Sequence, residues 1–325
     1  MCVMRRLSSS EQLVKGVLAG SPAAVARAIT LIENDQPGGR EVLDHVFPQT
    51  GHAHIVGVTG PPGSGKSSLV NEIIRQSRAV GKKIAVLAID PSSPITGGAT
   101  LGDRIRMLEW HADPGVFVRS MASRRFGSGL AQHTLTVAHV FDAAGFDPII
   151  IETVGTGQDE VAIAALAHTT VLLQVPGSGD SVQTLKAGSL EIGDLIVVSK
   201  GDRTDALTLA RDLRRLQTLR EDVGQQTSGW TPRVITTSSI ERSGIDTLIA
   251  GLGEHREWLR ESDEWDRRVR TMLGTEIASR VQLRLLDEVV GGSAAQDEVI
   301  DQVLARELSP LTAADRLLEQ LRSGQ

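Results

Sequence analysis

Gly60-Pro61-Pro62-Gly63-Ser64-Gly65-Lys66-Ser67 completes the phosphate-binding pattern G-x-x-x-x-G-K-[ST] without a mismatch. The apolar run at 55–58 before it predicts a buried strand, and the pattern at 67–74 after it predicts a helix. In this arrangement the glycines let backbone N–H groups close around phosphates, and the helix N-terminus adds partial positive charge. The stretch, extended by Ser68, therefore predicts binding of a nucleoside triphosphate.

Two side chains of this stretch carry chemistry that the backbone cannot supply. Lys66 is expected to reach the β- and γ-phosphates, and the hydroxyl of Ser67 is expected to ligate Mg²⁺. We therefore expect Mg²⁺ as the cofactor of nucleotide binding.

Composition narrows the class of protein. The 325 residues are 40% hydrophobic and 23% charged, which is typical of a globular protein. A net charge of −6, the absence of tyrosine and the lack of a basic stripe argue against nucleic-acid binding. The single cysteine, Cys2, cannot form an internal disulfide, and no apolar run approaches the roughly 18 residues of a membrane span. We expect a cytoplasmic protein.

The chain divides into three zones by pattern. Residues 1–50 have helical spacing, 51–251 alternate short apolar strands with helical segments, and 252–325 are helical without strands. The alternation predicts an α/β fold with a mostly parallel central sheet between helical N- and C-terminal extensions. The predicted strands are 55–59, 84–89, 116–119, 149–152, 170–175, 195–199 and 233–236.

Two acids end predicted strands and are candidates for the metal site. Glu152 follows the run 149–151, and Gly155 lies three residues later, the spacing of a switch loop whose glycine N–H can touch the γ-phosphate. Asp90 ends the run 86–89 before a proline-containing turn. An exposed strand-end acid is the alternative interpretation of each, but beside a phosphate loop a role in Mg²⁺ or metal-bound water coordination is favoured.

A further segment bears on which base is bound. Ser199-Lys200-Gly201-Asp202 follows the strand at 195–198 and is close to the N-K-x-D signature of GTPases. The Asp202 carboxylate would accept hydrogen bonds from guanine N1 and N2, which adenine cannot offer, while the Lys200 stem lies along the ring. The last contacts to the base are expected from the turn after strand 233–236, at Ser238, Ser239 and Ile240.

Several segments in order resemble the MeaB/ArgK family of G-proteins, whose human member is the methylmalonic aciduria type A protein. They are Gly60–Ser68, Ala88–Pro94 with Thr96–Gly98, Leu101–Met107, Glu152–Glu160 and Pro176–Asp180. The resemblance covers about residues 10–290. It implies a SIMIBI-class P-loop GTPase that forms a homodimer through C-terminal helices. Such proteins bind and hydrolyse GTP to GDP and act as chaperones of an adenosylcobalamin-dependent acyl-CoA mutase, usually methylmalonyl-CoA mutase.

The resemblance also implies roles for individual residues. Asp90 and Asp103 would lie in a first switch, Glu152 in a second, and residues 177–183 in a third that answers to the mutase. Catalysis would then depend on Lys66 and these three acids.

The chain departs from the family pattern in two places. Ser199 stands where the family commonly has asparagine, which removes an amide that usually ties this loop to the phosphate loop. Arg125 and Ser128 replace two glycines of a glycine-rich loop, which bears on the partner surface.

Other functions stay open at this point. A P-loop kinase or ATPase linked to amino-acid transport would need an adenine-tolerant base site, and a metallochaperone GTPase would usually show Cys or His clusters. A non-enzymatic scaffold is the third alternative.

Two further patterns have ordinary interpretations. The histidines near the nucleotide domain lack metal-ligand spacing and are interpreted as surface or capping residues: His52, His54, His111, His133, His139 and His168. A C-terminal apolar stripe, Trp265, Val269, Leu273 and Ile277, either packs on its own domain or forms a dimer contact.

Overall fold

The structure is a computed structural model that describes residues 9–91, 108–110, 112–123, 133–153, 159–177, 189–222, 229–290 and 294–323. The chain forms two compact units, residues 1–272 and residues 273–325.

Within the described residues of the first unit, seven strands form one sheet. They are β1 (Ile55–Thr59), β2 (Ile84–Pro91), β3 (Val116–Ser123), β4 (Ile149–Thr153), β5 (Thr169–Gln174), β6 (Leu195–Val198) and β7 (Arg233–Thr236). Their order is β3-β2-β4-β1-β5-β6-β7, and every pair is parallel. The predicted α/β fold with a parallel sheet is confirmed.

The strand limits follow the apolar runs, with one informative difference. β2 and β3 run two and four residues beyond their predicted ends, because the pairing continues through Asp90 with Ala122 and Pro91 with Ser123. The backbone of Asp90 is therefore still part of the sheet ladder.

Helices cover the sheet. The three N-terminal helices are α1 (Ser9–Leu18), α2 (Pro22–Glu33) and α3 (Pro37–Val46); those between and after the strands are α4 (Lys66–Ala79), α5 (Thr134–Ala143), α6 (Asp159–Ala164), α7 (Ala206–Asp222) and α8 (Ile245–Glu261). α2 and α3 both begin with proline, whose fixed φ suits a first helical turn. One-turn 3-10 helices occupy Phe47–Gln49, Leu108–Trp110 and Ser189–Glu191.

Two hydrophobic layers enclose the sheet. On one side α1–α3 and α5 bury Ile29, Val42 and Phe141 in a single cluster with Ile149. On the other side α4 and α8 pack on the alternate residues of the same strands. Because both faces are covered, all five residues of β1 are buried, which explains why its first four residues carry no polar side chain.

A long helix, α9 (Glu264–Val290), begins in the first unit and is followed by α10 (Ala294–Leu304) and α11 (Pro310–Ser323). In the second unit, Val299 and Ala313 are buried between helices, and Arg316 donates to Gln302 across them. No helix in the described parts of the chain is long and apolar enough to cross a membrane.

A buried polar network lies at the amino ends of β1 and β5, where histidines were expected at the surface. His54 and His168 are only 4% exposed, and His133, at the start of α5, is 3% exposed, so the surface interpretation is wrong for all three. The hydroxyl of Thr169 lies 2.6 Å from His54 Nε2 and 2.7 Å from Nδ1 of the fully buried His255. Nδ1 of His168 accepts a 3.0 Å hydrogen bond from the backbone N–H of Ile55. These hydrogen bonds offset part of the free-energy cost of burying the imidazoles.

The first turns of α9 join the same network. Arg268 forms a two-pronged pair with Asp194 at 2.7 and 2.8 Å and donates to the carbonyl of His168 at 2.7 Å. Trp265 stacks on His168 with ring centroids 4.1 Å apart and planes 14° from parallel. Trp265, the first residue of the apolar stripe, therefore packs within its own chain.

Burial disfavours the protonated form of these histidines. It holds the pKa of His54 well below its usual value, that of His168 at about 3 and that of His255 at about 4. For His168 the positive charge of Arg268 adds to the effect, whereas Asp194 partly opposes it for His255.

We therefore predict that the free energy of unfolding decreases as pH falls from about 6.5 to about 4. In that window the unfolded chain binds protons at these histidines that the folded chain does not, and each histidine contributes a slope approaching about 1.4 kcal/mol per pH unit. Urea unfolding at a series of pH values measures the slope. His255→Gln should flatten it, because the fully buried His255 is one of the three histidines with a lowered pKa. An equal slope in the wild type and His255→Gln would contradict the prediction.

Candidate nucleotide-binding site

The phosphate-binding loop lies between the carboxyl end of β1 and the N-terminus of α4. Its backbone uses conformations that favour glycine, with φ of +146° at Gly60, +71° at Gly63 and +87° at Gly65. A Cβ at Gly60 would lie 2.7 Å from the carbonyl oxygen of Leu173 on β5, so only glycine lets the loop pass the neighbouring strand. The sequence prediction of a strand–loop–helix is met.

The side chain of Lys66 folds back over this loop. Its Nζ donates to the carbonyl oxygens of Gly60 at 2.8 Å and Pro61 at 3.1 Å, and the residue is only 6% exposed. The ammonium group and the N-terminus of α4 therefore place positive charge at one small region, which is the electrostatic requirement of a phosphate site.

The structure brings together Ser67 and Glu152, the two residues that the sequence analysis named as Mg²⁺ candidates at the start of α4 and the end of β4. Ser67 Oγ donates a 2.6 Å hydrogen bond to Glu152 Oε1, and both residues are buried. The pairing of β1 with β4 sets Val58 beside Glu152, which brings the carboxylate to the start of α4. Behind this pair the hydroxyls of Thr59 and Thr153 lie 3.1 Å apart.

These residues fit Mg²⁺. A hydroxyl and a carboxylate are the oxygen ligands that Mg²⁺ prefers, and this ion is commonly held by one or two carboxylates with the substrate phosphates completing the shell. In the described ranges no group of three or more His, Cys, Asp or Glu side chains is arranged to hold a metal ion.

The loop also contains a polar atom suited to a bound phosphate. The hydroxyl of Ser64 is fully buried and has no hydrogen-bond partner among the described residues. Buried hydroxyls normally have a partner because an unsatisfied one costs free energy. An oxygen of a ligand in the glycine cradle would supply that partner.

The predicted base-recognition loop follows β6 at the same edge of the sheet. Lys200 has φ +54°, and Gly201 donates to the carbonyl of Thr237 at 2.8 Å, which fixes the loop against the turn after β7. A Cβ at Gly201 would lie 2.8 Å from the Thr236 side chain, so the small residue permits this close contact.

Asp202 is oriented by the turn after β7. Ser238 Oγ donates to its Oδ1 at 2.7 Å, and Ser238 Oγ itself accepts from the N–H of Glu241 at 3.2 Å. The hydrogen bond from Ser238 is the main cause that lowers the pKa of Asp202, so the carboxylate is ionised at neutral pH. An ionised carboxylate only accepts hydrogen bonds, as reading of guanine N1 and N2 requires.

The neighbouring residues of the turn differ in exposure. Ser238 is buried, Ser239 is partly buried, and Ile240 is 83% exposed.

Ser199, which replaces the usual asparagine, has a definite partner. Its Oγ donates to the carbonyl of Gln174 at 3.1 Å, and its backbone N–H donates to the same oxygen at 2.9 Å. The loop is thus tied to the end of β5.

Several predicted residues lie outside the described ones: Asp103, Gly155, Arg125, Ser128 and residues 178–183 of the third switch. For Asp90 the structure describes the backbone, which lies at the carboxyl end of β2. This is the same edge of the sheet as the phosphate loop.

Sequence reasoning missed a contact between the helix that follows the phosphate loop and the turn that follows β7. Glu72 of α4 is buried, and its carboxylate lies 3.5 Å from Arg75 and 3.8 Å from Arg242, in the turn after β7. An acid among the apolar residues of a helix beginning at the phosphate loop was the available signal.

Comparison with known proteins gives sequence matches over most of the chain. A family model described as methylmalonyl-CoA mutase-associated GTPase MeaB matches residues 25–294. A putative GTPase of Pyrococcus horikoshii is 41% identical over 317 residues, covering 96% of this chain and 98% of that protein. The mouse protein named methylmalonic aciduria type A homolog, mitochondrial, is 30% identical over 335 residues, covering 96% and 80%.

A solved structure agrees in fold over the same length. The crystal structure described as LAO/AO transport system kinase has a TM-score of 0.71 and 25% identity, covering 98% of this chain and 100% of that one. Because the family match spans most of the chain, this protein belongs to the MeaB family and is a P-loop GTPase.

Proposed function

We propose that this GTPase is a chaperone of an adenosylcobalamin-dependent acyl-CoA mutase, of which methylmalonyl-CoA mutase is the first candidate. It would gate cofactor loading and protect or reactivate the mutase. The observation that carries the proposal is the match of residues 25–294 to a family described as associated with that mutase. The name of the mouse relative, which refers to methylmalonic aciduria, supports the same partner.

The nucleotide would bind across the carboxyl edge of the sheet. The glycine cradle and Lys66 would hold the phosphates, and Asp202 with Lys200 would hold guanine. Mg²⁺, held by Ser67 and Glu152 with Asp90 as a further candidate, would neutralise charge that develops on the phosphates during hydrolysis. Asp103 is proposed, from the resemblance, to act with Asp90 in the first switch.

A kinase function, which the description of the crystal structure suggests, has less support. A kinase that uses ATP needs a base site compatible with adenine. An ionised carboxylate oriented by Ser238 instead suits the N1–H and N2–H donors of guanine.

Hydrolysis should be Mg²⁺-dependent, slow without a partner, and lost in Lys66→Ala. We expect a fall in GTP turnover of about 100-fold or more, because the ammonium group that Gly60 and Pro61 orient no longer stabilises charge on the phosphates. Phosphate release by the wild type, measured with and without EDTA, tests the Mg²⁺ dependence and the slow basal rate. The same measurement on Lys66→Ala tests the loss of turnover.

The control for that variant is Lys82→Ala, which removes an exposed lysine beyond the C-terminus of α4. It should hydrolyse GTP at the wild-type rate. Wild-type turnover in Lys66→Ala would mean that the loop does not perform the reaction.

The mutase and the nucleotide should affect each other's binding. If the mutase binds the GTP and GDP states with different affinity, it must change the ratio of the GTP and GDP affinities by the same factor, typically about 5- to 150-fold. Titration of the mutase from the same organism against the GTPase loaded with a non-hydrolysable GTP analogue or GDP measures this factor, and phosphate release measures stimulation.

Asp180→Ala should lower the stimulation and leave basal hydrolysis nearly intact, because Asp180 lies in the segment that the family resemblance assigns to mutase sensing. Stimulation that survives this change would remove Asp180 from that role. If no adenosylcobalamin-dependent mutase of the organism changes turnover of the wild type, the chaperone proposal fails.

We also propose that the chain is a homodimer. With Trp265 packed on His168, the residues that support an interface are Ile277, Val281 and Leu285, which are spaced four residues apart on α9 and are 64%, 52% and 39% exposed. Such an exposed apolar row suits a two-fold contact with the same row of a second copy.

Light scattering should therefore give a mass near twice 34.7 kDa. Ile277→Glu should shift the mass to that of the monomer, because two carboxylates would be buried face to face. Leu207→Glu, at a 60% exposed position of α7, is the matched control and should leave the dimer intact. A monomeric wild type at high concentration would contradict the proposal.

A further inference from the structure

The end of β5 lies directly against the base-recognition loop. The carbonyl of Gln174, the last residue of β5, accepts from both the N–H and the Oγ of Ser199, at 2.9 and 3.1 Å. Residues 174–177 and 199–205 are thereby held side by side at the carboxyl edge of the sheet.

A second contact between these segments involves the residue next to Asp202. Arg203 forms a two-pronged pair with Asp205, with Nε–Oδ1 at 3.0 Å and Nη2–Oδ2 at 2.8 Å. Hydrogen bonding by Arg203 lowers the pKa of Asp205, so the pair is ionic at neutral pH. The two planar groups form one flat plate on the surface of the loop, with the Arg203 and Asp205 side chains 47% and 42% exposed.

This plate lies on the Cα of Gly177. A Cβ at Gly177 would be 2.9 Å from Arg203 Nη2 and 3.2 Å from Asp205 Oδ2, closer than side chains normally approach. Gly177 also has φ +77°, which favours glycine. The guanidinium of Arg203 can occupy this place only because residue 177 has no side chain, so an alanine there would push the end of Arg203 away.

We propose that Arg203 and Asp205 are positioning residues that couple the end of β5 at Gly177 to the placement of the Asp202 carboxylate. Lys200 and Gly201 hold the start of the loop, and Ser238 holds one oxygen of Asp202. The plate against Gly177 holds the other end of the loop. Displacement at Gly177 is thus transmitted to Arg203 and to the adjoining Asp202.

The inference rests on the proposed guanine contact of Asp202, and its readout is base discrimination. Inosine triphosphate lacks the N2 amino group of GTP, so the ratio of the two affinities reports how well the carboxylate meets N1 and N2. A residue that only stabilises the fold would change both affinities equally and leave this ratio unaltered.

The experiment measures GTP and ITP affinities of the full-length wild type and of variants by calorimetry. Arg203→Ala and Gly177→Ala should each lower the GTP/ITP ratio by at least about threefold, and Asp205→Asn should act in the same direction. The double variant Gly177→Ala/Arg203→Ala should be no worse than Arg203→Ala alone, because the side chain that the added methyl displaces is already gone.

Gly81→Ala is the matched control for backbone strain. Gly81 has φ +76°, nearly the value of Gly177, but a Cβ there meets no atom within 4 Å. It should leave the ratio unchanged. If Gly177→Ala does not fold, Arg203→Ala and Asp205→Asn together still decide the outcome.

Two results overturn the inference: an unchanged GTP/ITP ratio in Arg203→Ala and Asp205→Asn, or independent, multiplicative effects of Gly177→Ala and Arg203→Ala. Asp202→Asn separates this failure from that of the proposed base site. If Asp202→Asn abolishes the discrimination while the positioning variants keep it, the guanine contact stands and the coupling is wrong. If Asp202→Asn keeps it, the guanine contact itself is wrong.

Discussion

The hydrogen bond between Ser67 and Glu152 is the interaction on which the site depends most. It joins the first turn of α4 to the carboxyl end of β4. β4 is the neighbour of β1, the strand that leads into the phosphate loop. Both groups are buried, so this hydrogen bond forms away from solvent, where it is electrostatically stronger than in water. The phosphate loop leaves the end of β1, so its position follows from the parallel pairing of β1 with β4 on one side and with β5 on the other.

The remaining elements of the site are assembled by the same topology. Parallel strands end at one edge, so the phosphate loop, Glu152, the loop at 199–205 and the turn at 237–240 meet there although they are far apart in sequence. Short backbone contacts, such as Gly201 to Thr237 and Ser199 to Gln174, then fix their relative positions. Lys66 and the N-terminus of α4 supply positive charge, while Asp202 supplies negative charge at the proposed base site.

The sequence predicted this edge well because local patterns determine it. Apolar runs bounded by glycine, acid or proline identify strands, and the residue that follows each buried strand must lie at the edge. The buried network of His54, His168 and His255 was not predictable in this way. These histidines come from the residue before β1, the turn before β5 and α8, and no spacing along the chain indicates that they meet. Trp265 illustrates the same limit, since helical periodicity identifies an apolar face but not whether that face meets the sheet or another chain.

The pair of Arg268 with Asp194 has a consequence for how the sheet and α9 can vary in evolution. Asp194 accepts from the N–H of Thr170 inside the sheet and from Trp230 through its carbonyl, so it belongs to the fold of the strands. Its counter-charge, however, comes from a helix more than 70 residues later in the chain, at a position 19% exposed. A gene fusion or exchange with its breakpoint between α8 and α9 would separate a largely buried carboxylate from its guanidinium. The first turns of α9 therefore belong structurally with the sheet, and a boundary for cutting or exchanging segments is better placed beyond Arg268.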